Sequence, residues 1–240
     1  MIGILATSHP GHRIFLNESL SYLSRYNGPV ILGWDDKEFI WHRKLPENIE
    51  LMLTGKKLGL QHGEMWQIEN GAKKLKSLGC KYLLKTAGDQ LIKKYDKIDI
   101  LISNLKRRKV LTKSKPHKYA IGTQLFFIEI DVLFEIIEMK EKLFKYLNLI
   151  EPHKVKGIER IYGMSGLMLG IITIPQEYAW WQNMIGYKDM QQMWILKTGK
   201  KYNRAWEEGA KNYDMTESDL NKIPDETGKF SKFCQRTGCE

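Results

Sequence analysis

The sequence of 240 residues contains few cysteines and lacks the short motifs that mark several large enzyme classes. Its three cysteines, Cys80, Cys234 and Cys239, are an odd number without metal-ligand spacing, which argues against a disulfide framework and a zinc site. The patterns G-x-G-x-x-G, G-x-x-x-x-G-K-[ST], G-x-S-x-G and H-E-x-x-H are all missing. These absences disfavour dinucleotide oxidoreductases, P-loop phosphotransferases, serine hydrolases and zinc proteases.

Long apolar runs are missing as well. No run approaches the ~18–20 apolar residues that a membrane-spanning helix needs, and residues 1–5 lack the basic start and the cleavage site of a signal peptide. Together with the few cysteines, these absences lead us to expect a cytoplasmic protein. The length and a hydrophobic content of 42% suffice for a single large domain, in which we distinguish the halves 1–135 and 136–240.

Positive charge is abundant, with 38 Lys and Arg against 28 Asp and Glu and a formal net charge of +10. Such a balance favours anionic partners, which include nucleic acid, anionic lipid surfaces and phosphorylated small molecules. The densest basic cluster, residues 106–109, is followed by Lys113, Lys115 and Lys118. We expect this cluster to end a helix, where cations offset the negative end of the helix dipole, and an anion-binding role is the alternative.

Short apolar runs alternate with stretches of helical periodicity along the first half of the chain. The predicted strands are residues 1–7, 29–34, 49–53, 82–86, 110–111 and 124–130, and the predicted helices include residues 60–78, 96–108 and 131–147. This alternation predicts a mainly parallel sheet that is covered by helices on both faces. Residues 157–169 are compatible with a helix, and the aromatic-rich, poorly periodic segments that follow predict a helical or irregular acceptor-side region.

Polar side chains follow three of the predicted strands, in the clusters Thr7-Ser8-His9, Asp35-Asp36 and Gly88-Asp89. Because the carboxyl ends of parallel strands meet at one edge of a sheet, we expect these clusters to lie together, with Asp89 in a surface-facing loop. Carboxylates on a basic protein suit a phosphate-rich ligand that is held through a divalent cation. Lys85 lies within the fourth strand, where a basic residue predicts a pyrophosphate or carboxylate partner.

Four stretches carry a resemblance to a known family. The segments ILATSHPGHRIFLNESLSYL, VILGWDD and GEMWQIENGAKKLKSLGCKYLLKTAGDQ resemble the nucleotide-sugar-binding half of GT-A glycosyltransferases. The later segment IGTQLFFIEIDVL is similar to the next strand and helix of some bacterial and viral polysaccharide transferases of this type. The resemblance covers roughly the first 135 residues and rests on the order and spacing of elements. It implies a Rossmann-type α/β fold with a mixed, mainly parallel sheet.

The resemblance also implies roles for individual residues. Thr7, with Ser8 beside it, and Asp35 or Asp36 would contact the nucleotide, and Asp89 would be the carboxylate that faces Mn²⁺ or Mg²⁺ and on which catalysis depends. The family's D-x-D motif is incomplete because Ala87 replaces its first acid, so metal binding is weak, completed by another residue, or absent. Strand-end aspartates also cap helices and form turns, which is the structural alternative for these residues.

Further candidates lie at the margins of this pattern. Glu159 stands where such transferases often have an acid that acts as a base or holds the acceptor hydroxyl, although a glutamate on an amphipathic helix is more often solvated. His9 and His12 are candidates for phosphate contact, and a loop histidine without a partner is more often incidental. Trp180 and Trp181 either stack on a sugar or fill the core, and we favour the core.

The expected function is that of a hexosyltransferase-like glycosyltransferase in polysaccharide biosynthesis. It would move a sugar from a nucleoside diphosphate to a hydroxyl of a glycan or lipid-linked glycan, by inverting or retaining chemistry. The alternative is a non-catalytic, basic nucleic-acid-binding protein. The basic residues are spread along the chain and no nucleic-acid-binding module is found, so we expect no specific nucleic acid. The positive charge also suits peripheral contact with an anionic membrane.

Overall fold

Seven strands form the main sheet of the computed structural model, which describes residues 1–39, 41, 43–58, 60–113, 120–150, 157–200 and 215–238. They are β1 (Ile2–Ser8), β2 (Val30–Trp34), β3 (Ile49–Leu53), β4 (Tyr82–Ala87), β6 (Lys109–Lys113), β7 (Phe126–Glu129) and β8 (Ile172–Gln176). Two short strands, β5 (Gln90–Leu91) and β9 (Lys188–Asp189), pair with each other in antiparallel fashion. The lysines at 115 and 118, which follow the basic cluster, lie outside the described residues.

Helices follow most of these strands. In the described ranges they are α1 (Arg13–Leu23), α2 (Leu60–Ser77), α3 (Ile100–Leu105), α4 (Ile130–Ile150), α5 (Ile158–Met168), α6 (Tyr178–Ile185), α7 (Met190–Thr198), α8 (Glu217–Lys222) and α9 (Lys229–Thr237), and a 3₁₀ turn (Pro10–His12) precedes α1. Helix α2 ends near Gly79, whose φ of +79° suits glycine and whose N–H donates to the carbonyl of Lys76. Within the described part of the chain, no helix is long and apolar enough to cross a membrane.

The strand order β3-β2-β1-β4-β7-β6-β8 confirms the predicted mixed and mainly parallel sheet, in which β7 is antiparallel to both of its neighbours. Strand β1 has β2 on one side and β4 on the other, and both pairs are parallel. The order of the chain therefore reverses beside β1, which makes a crevice between the loops that follow β1 and β4. Thr7 is level with Gly33 of β2 and Ala87 of β4, so the three strands end side by side as predicted.

Both faces of the sheet are buried, which explains why its central strands are nearly continuous apolar runs. Leu32 and Leu84 face one cluster, which also includes Trp181, while Leu5 and Leu83 face the other. Helices α1, α3 and α6 contribute to the first cluster, and α2, α4 and α5 contribute to the second. Trp181 is fully buried, with the Trp180 ring packed edge-on at 4.9 Å, so the favoured core role of this pair is confirmed.

Two predictions about the elements need correction. The predicted helix at 96–108 is shorter, because α3 ends at Leu105 and the basic cluster forms the turn into β6 instead of the last turn of a helix. Strand β8, in the aromatic-rich second half, was not predicted because Pro175 interrupts its apolar pattern. Proline is tolerated there because β8 is an edge strand, paired only with β6 among the described residues.

Candidate active site

A cavity of about 150 Å³ lies at the carboxyl ends of β1, β2 and β4, where the sequence places its polar loops. Four of the predicted site residues, Thr7, Ser8, Asp35 and Asp89, line it together. The remaining lining residues are His9, His12, Glu64, Gln67, Ala87, Gln124 and Gln191. The expectation that the three loops meet at one edge of the sheet is therefore confirmed.

The end of β1 is fixed by one side chain of α2. The Gln67 amide accepts from the Ser8 N–H at 2.9 Å and donates to the Ser8 carbonyl at 3.2 Å. Both backbone polar groups of Ser8 are therefore hydrogen-bonded to this one side chain. A Cβ atom at Gly88 would lie 2.3 Å from the Ser8 hydroxyl oxygen, which explains the glycine after β4. The Thr7 hydroxyl donates to the Thr86 carbonyl at 3.4 Å, which ties β1 to β4.

The two acids after β2 have different surroundings. Asp35 is buried, and its Oδ1 accepts from the Leu58 N–H at 2.9 Å and from the Thr54 hydroxyl at 3.3 Å. Its carboxylate thus orders the loop that follows β3 and also reaches the cavity. Asp36 is half-buried, its Oδ1 accepts from the Lys37 N–H at 2.7 Å, and it does not line the cavity. The structure therefore brings only the first acid of this pair into the site.

The turn after β4 is closed by Gln90. Asp89, which lies in this turn, lines the cavity and is otherwise shielded from solvent. The Gln90 side-chain oxygen accepts from the Thr86 hydroxyl at 2.9 Å and from the Ala87 N–H at 3.0 Å. Asp89 is only 3% exposed, so the expectation of a surface-facing loop was wrong. Its Oδ1 has no hydrogen-bond partner, and its Oδ2 lies 3.7 Å from Nε2 of His12.

Burial is the main reason that the pKa of Asp89 rises from 3.8 to about 7. The charge of Asp189 raises the pKa further, while a hydrogen bond from the residue's own backbone N–H and the charges of Lys113 and Lys85 oppose the rise. Asp189 itself is satisfied, since its Oδ2 accepts from Nζ of Lys113 at 2.8 Å and its Oδ1 caps α7 through the Gln192 N–H at 2.8 Å. The pairing of β9 with β5 brings this second acid beside the Asp89 loop.

The two histidines near the first loop are neutral at pH 7. Burial, with the charge of Lys57, lowers the pKa of His9 to about 4, and its Nδ1 accepts from the Gly11 N–H at 3.0 Å. Burial, followed by His9 and Lys85, holds the pKa of His12 well below its usual range. Neither residue offers a positive charge to a phosphate, so both act at this edge as neutral imidazoles.

A partly buried chain of polar side chains connects Lys85 to Glu159. Lys85 is fully buried in β4, and its Nζ donates to Oε1 of Glu64, so the predicted carboxylate partner is supplied by α2. The Thr123 hydroxyl lies 3.2 Å from Oε2 of Glu64 and 3.4 Å from Oε1 of Glu159. Glu64 lines the cavity, whereas the half-buried Glu159 does not and is connected to it through Thr123 and Glu64.

Comparison with known proteins bears on the fold. No protein-family model matches the sequence, and neither does any curated protein. Among solved structures, the chain is similar to the crystal structure of a glycosyltransferase involved in the glycosylation of the major capsid of PBCV-1. The TM-score is 0.50 and the sequence identity 15%, over 88% of this chain and 98% of that one. The fold is a GT-A-like glycosyltransferase fold. It agrees with the resemblance in sequence.

Oδ1 of Asp89, which has no hydrogen-bond partner, is the atom in this GT-A-like fold on which the fit of a divalent cation depends. In the ranges that the structure describes, no three His, Cys, Asp or Glu side chains are grouped to hold a metal ion. Mg²⁺ commonly binds one or two carboxylates and takes its other ligands from water and substrate phosphates. A single buried carboxylate therefore fits a cation that is bound jointly with a diphosphate.

Proposed function

We propose that the protein is a glycosyltransferase that moves a sugar from a nucleoside diphosphate to a hydroxyl of a glycan, either free or carried on a lipid. The observation that carries this proposal is the buried Asp89 carboxylate with one unpartnered oxygen in the crevice beside β1. A buried carboxylate oxygen without a partner costs free energy, so its retention at the reversal point of an α/β sheet supports a ligand-binding role.

The donor would lie across the loops that follow β1, β2 and β4. Thr7 and Ser8 would border the nucleotide, and the Asp35 carboxylate would accept from its ribose or base. Gly88 keeps side-chain bulk away from the path of the diphosphate, and Asp89 would hold the Mn²⁺ or Mg²⁺. When bound, the cation would neutralise charge on the leaving diphosphate.

The acceptor side of the proposal rests on the two glutamates that share Thr123. Glu64 is held in place by Lys85 and Thr123 and lines the cavity, so we assign it the role of accepting a hydrogen bond from a sugar hydroxyl. Of the two roles predicted for Glu159, we assign it that of the base that takes the acceptor's proton, since it is half-buried and one hydroxyl away from Glu64. Glu159→Gln should then lower kcat while donor affinity changes little.

A donor screen tests the proposal. Thermal unfolding is measured with UDP-, GDP-, CMP- and dTDP-sugars, each with and without Mn²⁺. One donor at ~100 times its Kd should raise Tm by about 5–10 °C, and Asp89→Asn should abolish the Mn²⁺-dependent part of that rise. Asp36→Asn is the matched control, because it makes the same change outside the cavity. Donors that leave Tm unchanged in every combination would contradict the proposal.

A parallel measurement tests the alternative that the protein binds nucleic acid. Retention on single-stranded DNA that falls steeply with salt, in a protein that responds to no nucleotide sugar, would favour nucleic-acid binding. We expect weak retention, because the basic residues are spread along the chain and two of them, Lys85 and Lys113, pair with carboxylates inside the fold.

A further inference from the structure

Four of the large hydrophobic side chains that are exposed to solvent lie close together, far from the crevice in the fold. Met164, Leu167 and Met168 are 42%, 55% and 62% exposed on α5, and Ile172 at the start of β8 is 56% exposed. Positions 164, 167 and 168 share one face of a helix, and the opposite face of α5 packs into the core through residues such as Tyr162. Helix α5 therefore presents an apolar face to solvent.

A basic turn adjoins this apolar face. The Arg108 carbonyl accepts from the Ile172 N–H at 3.1 Å, and the Arg108 guanidinium donates to the Leu169 carbonyl at 3.1 Å. These two bonds join the α3–β6 turn to the α5–β8 turn. Lys106 and Arg107 are exposed and form no ion pair with any described residue, while Arg108 is paired with Glu135.

The backbone of the basic turn is strained. Lys106 and Arg108 have φ values of +50° and +53°, a region that residues with a side chain rarely adopt. Such a conformation costs free energy and persists only where the surroundings hold it, and strained residues of this kind concentrate at functional sites. Here the turn keeps Lys106 and Arg107 beside the apolar residues of α5.

We propose that the basic–apolar surface, formed by Lys106, Arg107, Leu167, Met168 and Ile172, docks the protein on an anionic phospholipid bilayer. Apolar side chains enter the boundary between headgroups and acyl chains, while neighbouring cations meet the lipid phosphates. Lys106 and Arg107, which pair with no acid among the described residues and lie beside apolar side chains, are complementary to such a bilayer surface. The inference stands whether or not the chain transfers sugars.

The position of the surface fixes the orientation of the docked protein. The two turns precede β6 and β8, which run parallel to β1, so they lie at the amino ends of these strands. The cavity lies at the carboxyl ends, roughly 16 Å away along a five-residue strand. The docked protein therefore turns its crevice away from the lipid and leaves it open to solvent.

Vesicle sedimentation with the full chain tests the proposal. The probes are phosphatidylcholine vesicles with and without phosphatidylserine, in about a 3:1 ratio, at low and high salt. The variant Lys106→Glu/Arg107→Glu should lower partitioning to the anionic vesicles by about 20-fold or more. Lys229→Glu/Lys232→Glu is the matched control, because it makes the same change in net charge on exposed residues of α9, and it should bind like the wild type.

The apolar half of the surface has its own variant. Leu167→Ser/Met168→Ser should lower partitioning by about tenfold or more, with an unchanged Tm because both side chains are exposed. The proposal is overturned if the wild type ignores anionic vesicles at low salt, if both vesicle types bind equally, or if the charge-reversed variant binds like its control. Loss of a dimer in the serine variant, without an effect on vesicles, would instead assign the surface to contact between two copies.

Discussion

The loops after β2 and β4 each place an aspartate, Asp35 and Asp89, at the same depth in the same cavity, yet the two carboxylates differ in what they contact. Both residues are 3% exposed. Asp35 accepts from the Leu58 N–H and the Thr54 hydroxyl, whereas Oδ1 of Asp89 accepts from nothing. Burial alone therefore does not identify a functional acid; what distinguishes these two is whether the protein itself satisfies the carboxylate.

The difference has an energetic meaning. Hydrogen bonds to an ionised carboxylate offset the cost of removing it from water, so Asp35 stabilises the loop that it orders. Oδ1 of Asp89 receives no such hydrogen bond, and the pKa of about 7 reflects the cost of ionising this carboxyl group in place. A protein retains such a cost where a ligand supplies the missing partner.

The largest expected effect comes from the acid without a partner. Asp89→Asn should lower donor turnover by a factor on the order of 10² or more, because a group that stabilises charge at the diphosphate is lost. Steady-state rates with the donor found in the screen provide the measurement. Asp36→Asn, outside the cavity, should keep the wild-type rate. Full turnover by the Asp89 variant would remove this residue from the site.

Replacing Asp35, whose carboxylate has hydrogen-bond partners, should instead lower the stability of the folded protein. Asp35→Ala leaves the Leu58 N–H and the Thr54 hydroxyl without an acceptor, which should cost about 1–3 kcal/mol of unfolding free energy and lower Tm by about 2–10 °C. Thermal unfolding of the ligand-free protein measures it. Asp36→Ala is the control, with an expected change within about 0.5 kcal/mol. Equal stability of the two variants would contradict the structural role of Asp35.

A third substitution adds the missing acid to the β4 loop. Ala87 lines the cavity where the D-x-D motif has its first carboxylate, so Ala87→Asp should tighten Mn²⁺ binding on the order of tenfold. Ala87→Asn has the same shape without the charge and separates the two contributions. Calorimetric titration of Mn²⁺ in the presence of donor measures the change. If neither variant gains affinity, the loop holds the diphosphate without a metal.

The smallest expected effect concerns stability and pH. The folded-state pKa of Asp89 is raised above its unfolded value, so the ionised carboxylate opposes folding, and the penalty grows as pH rises from about 4 to above 7. At pH 8 in EDTA, Asp89→Asn should therefore melt several degrees higher than the wild type. The difference should shrink as pH falls and vanish below about pH 4, where Asp89 is protonated in both the folded and the unfolded state. An Asp89 variant that melts lower at both pH values would mark this carboxylate as a structural cap.

The sequence predicted the loop residues of this site but not the residues that α2 contributes to it. The loop residues Thr7, Ser8, Asp35 and Asp89 were predicted because an apolar strand that stops at a polar residue is a local signal. Glu64 and Gln67 were missed because they lie on a long helix, where polar residues are expected to face solvent. Their spacing of three residues places both on the side of α2 that faces β1, and this was the signal available.

The second half of the chain was harder to predict for a different reason. Strands β5 and β9 have two residues each and pair across about a hundred positions of sequence, so neither carries a periodicity of its own. Asp189 and the cap of α7 could not be placed beside Asp89 without that pairing. Strand β8 is half-exposed and contains a proline, which conceals its membership of the main sheet.

The pairing of β5 with β9 also limits how the chain can be divided. The Met190 N–H donates to the Asp89 carbonyl at 3.0 Å, so the loop with the unpartnered carboxylate is anchored from the second half. A fragment that stops near residue 135 would keep every predicted nucleotide contact and lose this anchor, together with β8 at the edge of the sheet. The halves are therefore poor candidates for exchange between related proteins. Hydrogen exchange at the Met190 amide would report directly on whether they are engaged.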